Sequence, residues 1–329
     1  MATLIDRFAV LLVAIAAMLW GTDTLFRVPL LRHLSKDPLV ASVQVVFAEH
    51  ITLTILVLPI LWLAWREIRR LDRRQWLAIV TIGVGASALA TVFFTRSFAY
   101  GHFIETLLLQ KTQPLIAIFL ARLVLGERLP PRSYLWVPVA LGGAYLIAIP
   151  DPLHPEQAWA DLHLAAAAYA LAAAALWGAA TVLGRFALHG VPFATLTALR
   201  FVTGMPALAI ALFVIGGAQA FAQYDGADLP LYLGIALVPG LIPMLLYYRG
   251  LASTPASMAT LAELAFPITG VLVNVYLVTP PQAITGEQIL GIALLWIAII
   301  ALDLENARRP ARIPVGASLD GGRPDAVPT

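Results

Sequence analysis

The sequence lacks cysteine and is poor in charge. Its 329 residues include no cysteine, which excludes disulfides, thiolate metal sites and cysteine nucleophiles. Only 12% of the residues are charged, about half of the fraction found in an ordinary soluble domain. The formal net charge is only +2 and no nucleic-acid-binding motif occurs, so we expect no nucleic-acid partner.

Catalytic and cofactor motifs are also missing from the sequence. It contains no His-Glu-x-x-His zinc motif, no Gly-x-Ser-x-Gly elbow and no phosphate-binding P-loop. Its six histidines are scattered without the spacing of metal ligands. We therefore expect no enzyme, no metal site and no cofactor, and neither hydrolysis nor ATP-driven pumping.

Apolar residues, by contrast, make up 60% of the chain. Runs long enough to cross a hydrocarbon core of about 30 Å recur ten times, with short connections between them. This predicts an all-α integral membrane protein with ten transmembrane helices and no soluble domain. No cleavage site follows the first run, which predicts a retained helix rather than a signal peptide. The runs lie at 8–30, 39–64, 76–98, 103–125, 133–150, 162–184, 195–217, 229–250, 256–279 and 286–304.

Basic residues predict the orientation in the membrane, because Lys and Arg near helix ends resist translocation. With ten crossings, the loops and tail that are rich in arginine all fall on one side. We expect this side to be the cytoplasm, with both termini there and residues 306–329 as a disordered cytoplasmic tail. Three basic residues, Arg27, Arg32 and Lys36, are exceptions that this topology places outside. The cytoplasmic arginines are Arg66, Arg69, Arg70, Arg73, Arg74, Arg122, Arg128, Arg132, Arg308, Arg309, Arg312 and Arg323.

The chain contains an internal repeat. The segment Leu19-Trp20-Gly21 recurs as Leu176-Trp177-Gly178, 157 residues later, and the run 99–114 aligns without gaps to 252–267 at a spacing of 153. The alignment predicts two five-helix repeats, 1–152 and 153–305. Five is odd, so the second repeat must enter the membrane inverted, an arrangement in which substrate sites lie around a central cavity near the midplane.

These repeated segments, together with Leu125-Gly126-Glu127 and the pair Gly142-Gly143, resemble the drug/metabolite transporter superfamily. The match is to its EamA-type members, which have ten helices in two inverted halves. The chain most resembles the bacterial exporters of amino acids, notably aromatic ones. The resemblance implies a multi-pass protein of the bacterial inner membrane that exports metabolites by alternating access.

The chain departs from the family pattern at two places. Its second half has Thr279-Pro280-Pro281 where the first has Gly126-Glu127-Arg128, and so lacks the loop glutamate. Residues 14–20 of the first run and 165–177 of the sixth also lack the acid that small multidrug members of the superfamily carry in the middle of their first helix. This counts against proton-exchanging multidrug efflux through that particular site.

Charged residues at membrane depth are the first candidates for substrate binding. Lys111 lies near the middle of the fourth run and Glu263 at the matching depth of the ninth. In one interpretation, they face the cavity with Gln110 and Gln113 and bind the two charges of a zwitterion. In the other, they pair with each other or with the two glutamines and fasten the halves together. Intramembrane charges are usually paired in either case.

Aromatic residues supply the apolar surface that a bulky metabolite needs. Trp20 and Trp177 are equivalent in the repeat, and each precedes a glycine. Phe94, Tyr100 and Tyr247 are further candidates for the cavity wall. For each of these three residues, helix packing or a place in the aromatic belt at the membrane interface is the alternative.

Gating and ion-pair roles are predicted for a second group of residues. Pro114 and Pro267 recur at matched positions, which favours paired hinges, because proline removes a helix hydrogen bond. Glu105, near the outer end of the fourth run, is a candidate gate residue. Asp23 and Arg27 have the i, i+4 spacing of an intrahelical pair. Arg200, near the start of the seventh run, is expected to snorkel to the surface as an anchor.

The sequence predicts a secondary exporter of amino acids and related metabolites, with aromatic or bulky apolar ones preferred. Its partners are then a small-molecule substrate and membrane lipid, whereas the sequence does not reveal the oligomeric state. Multidrug or cation efflux stays open as an alternative because of deep acids such as Glu263. An integral-membrane enzyme acting on lipid is a weaker alternative, because no cluster of Asp or His marks one membrane face.

Overall fold

The computed structural model describes residues 8–98, 100, 106, 109–148, 154, 156, 164–277 and 285–308, and every regular element in this part of the chain is helical. The main helical segments, numbered in chain order, are α1 (Ala9–His33), α2 (Pro38–Leu63), α3 (Arg73–Phe98), α4 (Gln113–Val124), α5 (Ser133–Ala148), α6 (Leu164–Ala187), α7 (Phe193–Gly216), α8 (Gly226–Leu251), α9 (Ala256–Ala262, continued by Phe266–Leu277) and α10 (Gly286–Ala307).

Seven of these segments, α1 to α3, α6 to α8 and α10, are long and apolar enough to cross a membrane. Many of their large apolar side chains face outward; Trp62, Leu63 and Val214 are 83%, 84% and 75% exposed. The predicted all-α membrane protein is thus confirmed for the described residues. The segments α4, α5 and α9 are shorter in that part, so ten crossings stay a prediction.

Short-range signals set several helix starts. Asp37 caps α2 by accepting hydrogen bonds from the backbone N–H groups of Leu39 at 2.8 Å and Val40 at 3.1 Å. These donors favour the charged carboxylate and lower the pKa of Asp37. The capping box of Asp72 and Gln75 starts α3 in a similar way.

The helices α4 and α9 are interrupted at matched positions. In α4, a turn at residues 111–112 precedes the described helix, and Pro114 lies in its first turn. In α9, the 3₁₀ turn Glu263–Ala265 precedes the second helical part, which has Pro267 in its first turn. A proline cannot donate to the carbonyl four residues earlier, so each regular helix starts afresh there. Broken helices of this kind form the binding sites of many transporters.

A second matched irregularity occurs in α3 and α8. The backbone winds as a π-helix over Ile82–Ala90 in α3 and over Ala236–Leu241 in α8. Adding the repeat spacing of 153 to the first stretch gives 235–243, which covers the second. Such turns are rare and often mark functional sites. The two halves therefore also share matched backbone distortions, which no motif in the sequence predicts.

Glycine contacts join the two halves in an equivalent way. A Cβ atom on Gly21 in α1 would lie 2.8 Å from the carbonyl oxygen of Phe266 in α9. A Cβ atom on Gly178 in α6 would lie 3.2 Å from the carbonyl oxygen of Gln113 in α4. The contacted residues are again 153 apart, 266 − 113. The first helix of each half thus packs against the fourth helix of the other half.

These glycines provide a paired test of the packing. We expect Gly21→Ala to lower the free energy of unfolding by about 1–3 kcal/mol, because its methyl group would overlap backbone that cannot yield. Gly178→Ala, at the looser contact, should cost less than about 1 kcal/mol. Thermal unfolding of the purified variants measures both. Equal losses of unfolding free energy in the two variants would contradict the tighter packing at Gly21.

Two hydrogen bonds join helix ends of the two halves beside predicted cytoplasmic arginines. Thr195, at the start of α7, donates to Glu67 Oε2 at 3.1 Å. Glu127, after α4, accepts the backbone N–H of Ser257 at 3.4 Å, at the start of α9. The turn before Glu127 needs Gly126, whose φ is +63°. The loop glutamate of the first half therefore ties this half to the second.

Several sequence predictions stay untested. The repeat boundaries, 1–152 and 153–305, are not decided by the helix positions. Glu105 and the segment Thr279-Pro280-Pro281 lie outside the described residues, as does most of the predicted tail. The helix α10 continues to Ala307, two residues into that tail.

Candidate functional site

A central cavity lies between the two halves and is lined by both. It holds about 1010 Å³ of empty space, counting the part open to solvent. Eight of the nine side chains predicted to bind substrate line it, namely Lys111, Glu263, Gln110, Gln113, Trp20, Trp177, Phe94 and Tyr247.

The break in α9 places the Glu263 carboxylate at the cavity wall. Its Oε1 accepts hydrogen bonds from Tyr247 at 2.9 Å and from Thr181 at 3.3 Å. Its Oε2 accepts from Gln113 Nε2 at 2.5 Å, and Gln113 in turn accepts from Gln110 at 2.8 Å. Three uncharged donors therefore hold this carboxylate, and one of them belongs to the first half. This geometry matches the fastening role considered for Glu263 from the sequence.

The break in α4 gives Lys111 a different environment. Its ammonium nitrogen lies 4.2 Å from the centre of the Phe266 ring, a cation–π contact. Among the residues that the structure describes, no carboxylate oxygen lies within 4 Å of this nitrogen. Lys111 is thus a charge in the cavity that no direct ion pair compensates, and its three N–H donors are available to a ligand.

Aromatic rings form the walls beside the two breaks. The ring of Trp20 lies 5.2 Å from that of Tyr247, and the ring of Trp177 lies 5.1 Å from that of Phe94. Trp177 also donates its indole N–H to the carbonyl of Ala86 at 3.0 Å, in the π-helical part of α3. The equivalent tryptophans therefore line one cavity, as the repeat predicted.

Tyr100 lies elsewhere. Its hydroxyl accepts a hydrogen bond from Arg96 at 3.2 Å, the guanidinium of Arg96 stacks on its ring at 4.4 Å, and Tyr169 stacks at 6.3 Å. The cavity wall does not include Tyr100 in the described part of the chain. This places Tyr100 in the packing alternative that the sequence left open.

A buried charge cluster forms a second part of the cavity wall. Arg27 bonds to Asp23 at 2.5 and 2.7 Å, which confirms the predicted intrahelical pair. It also donates to Glu49 Oε2 at 2.9 Å and to Thr95 at 3.1 Å. Two carboxylates thus share one guanidinium, so the cluster carries a formal charge of −1.

The comparisons with known proteins identify the family. The model of the EamA-like transporter family matches residues 7–149 and again residues 164–302. The chain belongs to the EamA-like transporter family. The predicted EamA membership and two-repeat architecture are thereby confirmed, and the protein is a membrane transporter rather than an enzyme, as this family's members are.

Two relatives of this EamA-like transporter are similar over almost their whole length. The riboflavin transporter ImpX from Fusobacterium nucleatum is 32% identical over 301 residues, covering 90% of this chain and 97% of ImpX. The uncharacterized transporter YwfM from Bacillus subtilis is 26% identical over 294 residues, covering 89% and 92%. A protein of known crystal structure has a TM-score of 0.65 at 17% identity, covering 92% of this chain and 99% of that chain, a likeness in fold alone.

In this EamA-like transporter, the prediction for Arg200 is wrong. Arg200 does not reach the surface; it is 6% exposed and lines the cavity. Its Nε donates to Ser87 at 2.7 Å and its Nη1 to Tyr248 at 3.0 Å. It is the eighth residue of α7, two turns from the helix start, and its side chain points inward to polar partners on α3 and α8.

Several cavity residues of the transporter were not predicted from the sequence, among them Glu49 and His50 in the middle of α2. Adjacent ionisable residues in an apolar run are themselves a signal, because such groups seldom face lipid. This signal is present in the run 39–64. The sequence does not give the rotation of α2 about its axis, which decides whether the two side chains face the cavity.

Proposed function

We propose that the protein is a secondary transporter of a planar aromatic metabolite, with riboflavin as a substrate, that works by alternating access of its two halves. The observation that carries the proposal is an aromatic cavity that contains an ammonium group, Lys111, without a carboxylate within 4 Å in the described residues. An isoalloxazine ring offers a large π-face and several carbonyl and ring-nitrogen acceptors. Such a ring stacks on tryptophan and accepts from an ammonium group.

One relative supports the same substrate class. ImpX is named as a riboflavin transporter, and its match covers 90% of this chain and 97% of ImpX.

Transport by purified protein in liposomes tests the proposal. Vesicles loaded with unlabelled riboflavin are diluted into labelled riboflavin, and exchange is measured against protein-free vesicles. We expect the label to accumulate inside through counterflow. No exchange of riboflavin would refute the assignment. Tryptophan, phenylalanine and tetraphenylphosphonium are measured in parallel to identify the substrate class in that case.

Export of aromatic amino acids is the second candidate. The observation that favours it is the presence of Lys111 and Glu263, opposite charges on two broken helices, in one cavity. We rank it second because the Glu263 carboxylate already accepts three hydrogen bonds, which leaves the amino group of a zwitterion with less to bind. A lipophilic cation ranks third, because the carboxylates of Glu263 and Glu49 already accept hydrogen bonds, whereas no carboxylate lies within 4 Å of the Lys111 ammonium in the described residues.

We also propose the finer points of the membrane arrangement. The protein crosses the bacterial inner membrane ten times, with both termini in the cytoplasm, because ten crossings place the arginine-rich loops on one side and Lys and Arg near helix ends resist translocation. The breaks at Pro114 and Pro267 act as hinges of the two halves. Cysteine labelling at positions 70 and 222, which are both exposed, from either side of the membrane distinguishes the proposed topology from its inverse.

A further inference from the structure

The cavity wall contains a second group of polar side chains besides Lys111 and Glu263. Glu49 and His50 from α2 line it, with Arg200 from α7. The His50 ring lies 5.8 Å from the ring of Phe201, and the Arg200 guanidinium carbon lies 5.8 Å from the same ring. A histidine and an arginine thus both lie beside Phe201 in the cavity wall.

Each of these three side chains retains an unused hydrogen-bonding atom. His50 is 1% exposed, and its Nδ1 contacts the carbonyl of Val46 at 2.9 Å, so Nδ1 is the donor and Nε2 of that tautomer is an acceptor. Within the described part of the chain, His50 Nε2 has no partner. The same holds for Glu49 Oε1 and for Nη2 of Arg200. His50 Nε2 is also fully buried, and a buried polar atom without a partner is costly, which points to a ligand that supplies one.

The charges around these atoms decide which ligand group fits. The Asp23–Arg27–Glu49 cluster carries a formal −1 and Arg200 a formal +1, so this part of the cavity is neutral overall. Two carboxylates would oppose a phosphate. A hydroxyl group donates and accepts at once, and a chain of hydroxyls therefore satisfies neighbouring acceptors and donors together.

We propose that Glu49, His50 and Arg200 form a subsite that binds an uncharged polyhydroxyl tail of the substrate, while the aromatic part of the cavity holds its ring. This inference rests on the proposed function, because it assigns the two ends of a riboflavin-like molecule to the two parts of one cavity. It makes His50 a residue that determines specificity for the tail.

Equilibrium binding to the purified protein in lipid nanodiscs tests the subsite with three flavins. Lumiflavin has the same ring and no hydroxyl tail, and flavin mononucleotide has a phosphate on the tail. We expect riboflavin to bind at least about tenfold more tightly than lumiflavin, through several added hydrogen bonds, and more tightly than the mononucleotide. Equal affinities of riboflavin and lumiflavin would overturn the subsite and leave the proposed function standing. Tighter binding of the mononucleotide would overturn the assignment to an uncharged tail.

Variants at His50 distinguish a role in substrate recognition from a role in stabilising the fold. His50→Phe keeps the ring but removes the acceptor, and we expect riboflavin to bind about threefold to tenfold more weakly while lumiflavin binding stays unchanged. His50→Gln, which keeps an acceptor, should restore most of the loss. His189→Phe, at an exposed histidine outside the cavity, is the matched control. An equal loss for both flavins in His50→Phe would assign His50 a purely structural role. Binding of neither flavin to the unaltered protein would refute the proposed function itself.

Discussion

Replacing Lys111 by methionine is expected to make the protein more stable and to lower its transport rate by about tenfold or more. A charge at membrane depth costs at least about 2.5 kcal/mol on insertion scales. In the described residues no carboxylate lies within 4 Å of the Lys111 ammonium. A hydrogen bond from this charge to the substrate is worth about 1.5–3 kcal/mol, or roughly tenfold to a hundredfold in affinity. Thermal unfolding and riboflavin counterflow measure the two effects on one sample.

The opposite changes in stability and transport distinguish a functional lysine from a structural one. If Lys111 mainly stabilised the fold through Phe266, the methionine variant would unfold at a lower temperature. Lys36→Met is the control, because Lys36 is the only other lysine of the chain and is exposed between α1 and α2. We expect this control to change neither quantity. Unchanged transport in Lys111→Met would remove Lys111 from the binding site.

Replacing Arg27 by methionine should cause the largest loss of stability, about 3–5 kcal/mol, because it leaves buried carboxylates without their cation. Arg27 is 4% exposed and bonds to both Asp23 and Glu49. Unfolding of the purified variant by heat, or by titration with sodium dodecyl sulfate, measures the loss. Arg32→Met, at an exposed position of the same helix, should change stability by less than about 0.5 kcal/mol.

A triple variant tests the cause of this loss. Adding Asp23→Asn and Glu49→Gln to Arg27→Met removes the uncompensated charges, and we expect it to recover most of the stability. A triple variant as unstable as the single one would mean that lost packing and hydrogen bonds, rather than charge, explain the effect.

Much of the architecture was predictable because it depends on local pattern. The apolar runs located the helices, and the 153-residue spacing placed Pro114 opposite Pro267, where both helices are indeed interrupted. The breaks position Lys111 and Glu263, and both line the cavity, which is the position that one of the two sequence interpretations gave them. The hydrogen-bond partners of Glu263 were harder to predict. Gln113 was among the partners considered from the sequence, whereas the bonds from Tyr247 and Thr181 depend on how α6, α8 and α9 pack against one another.

The amino-acid sequence by itself determined where the helices lie, that they repeat, and that a charged break occurs in the fourth and ninth runs. Only the tertiary structure decided that Glu49, His50 and Arg200 share a cavity with them. In a membrane helix the sides facing lipid and protein are both apolar, so composition does not reveal which side faces inward. Close contacts such as those at Gly21 and Gly178 decide that rotation. Packing between the two halves therefore determines which side chains contact the substrate.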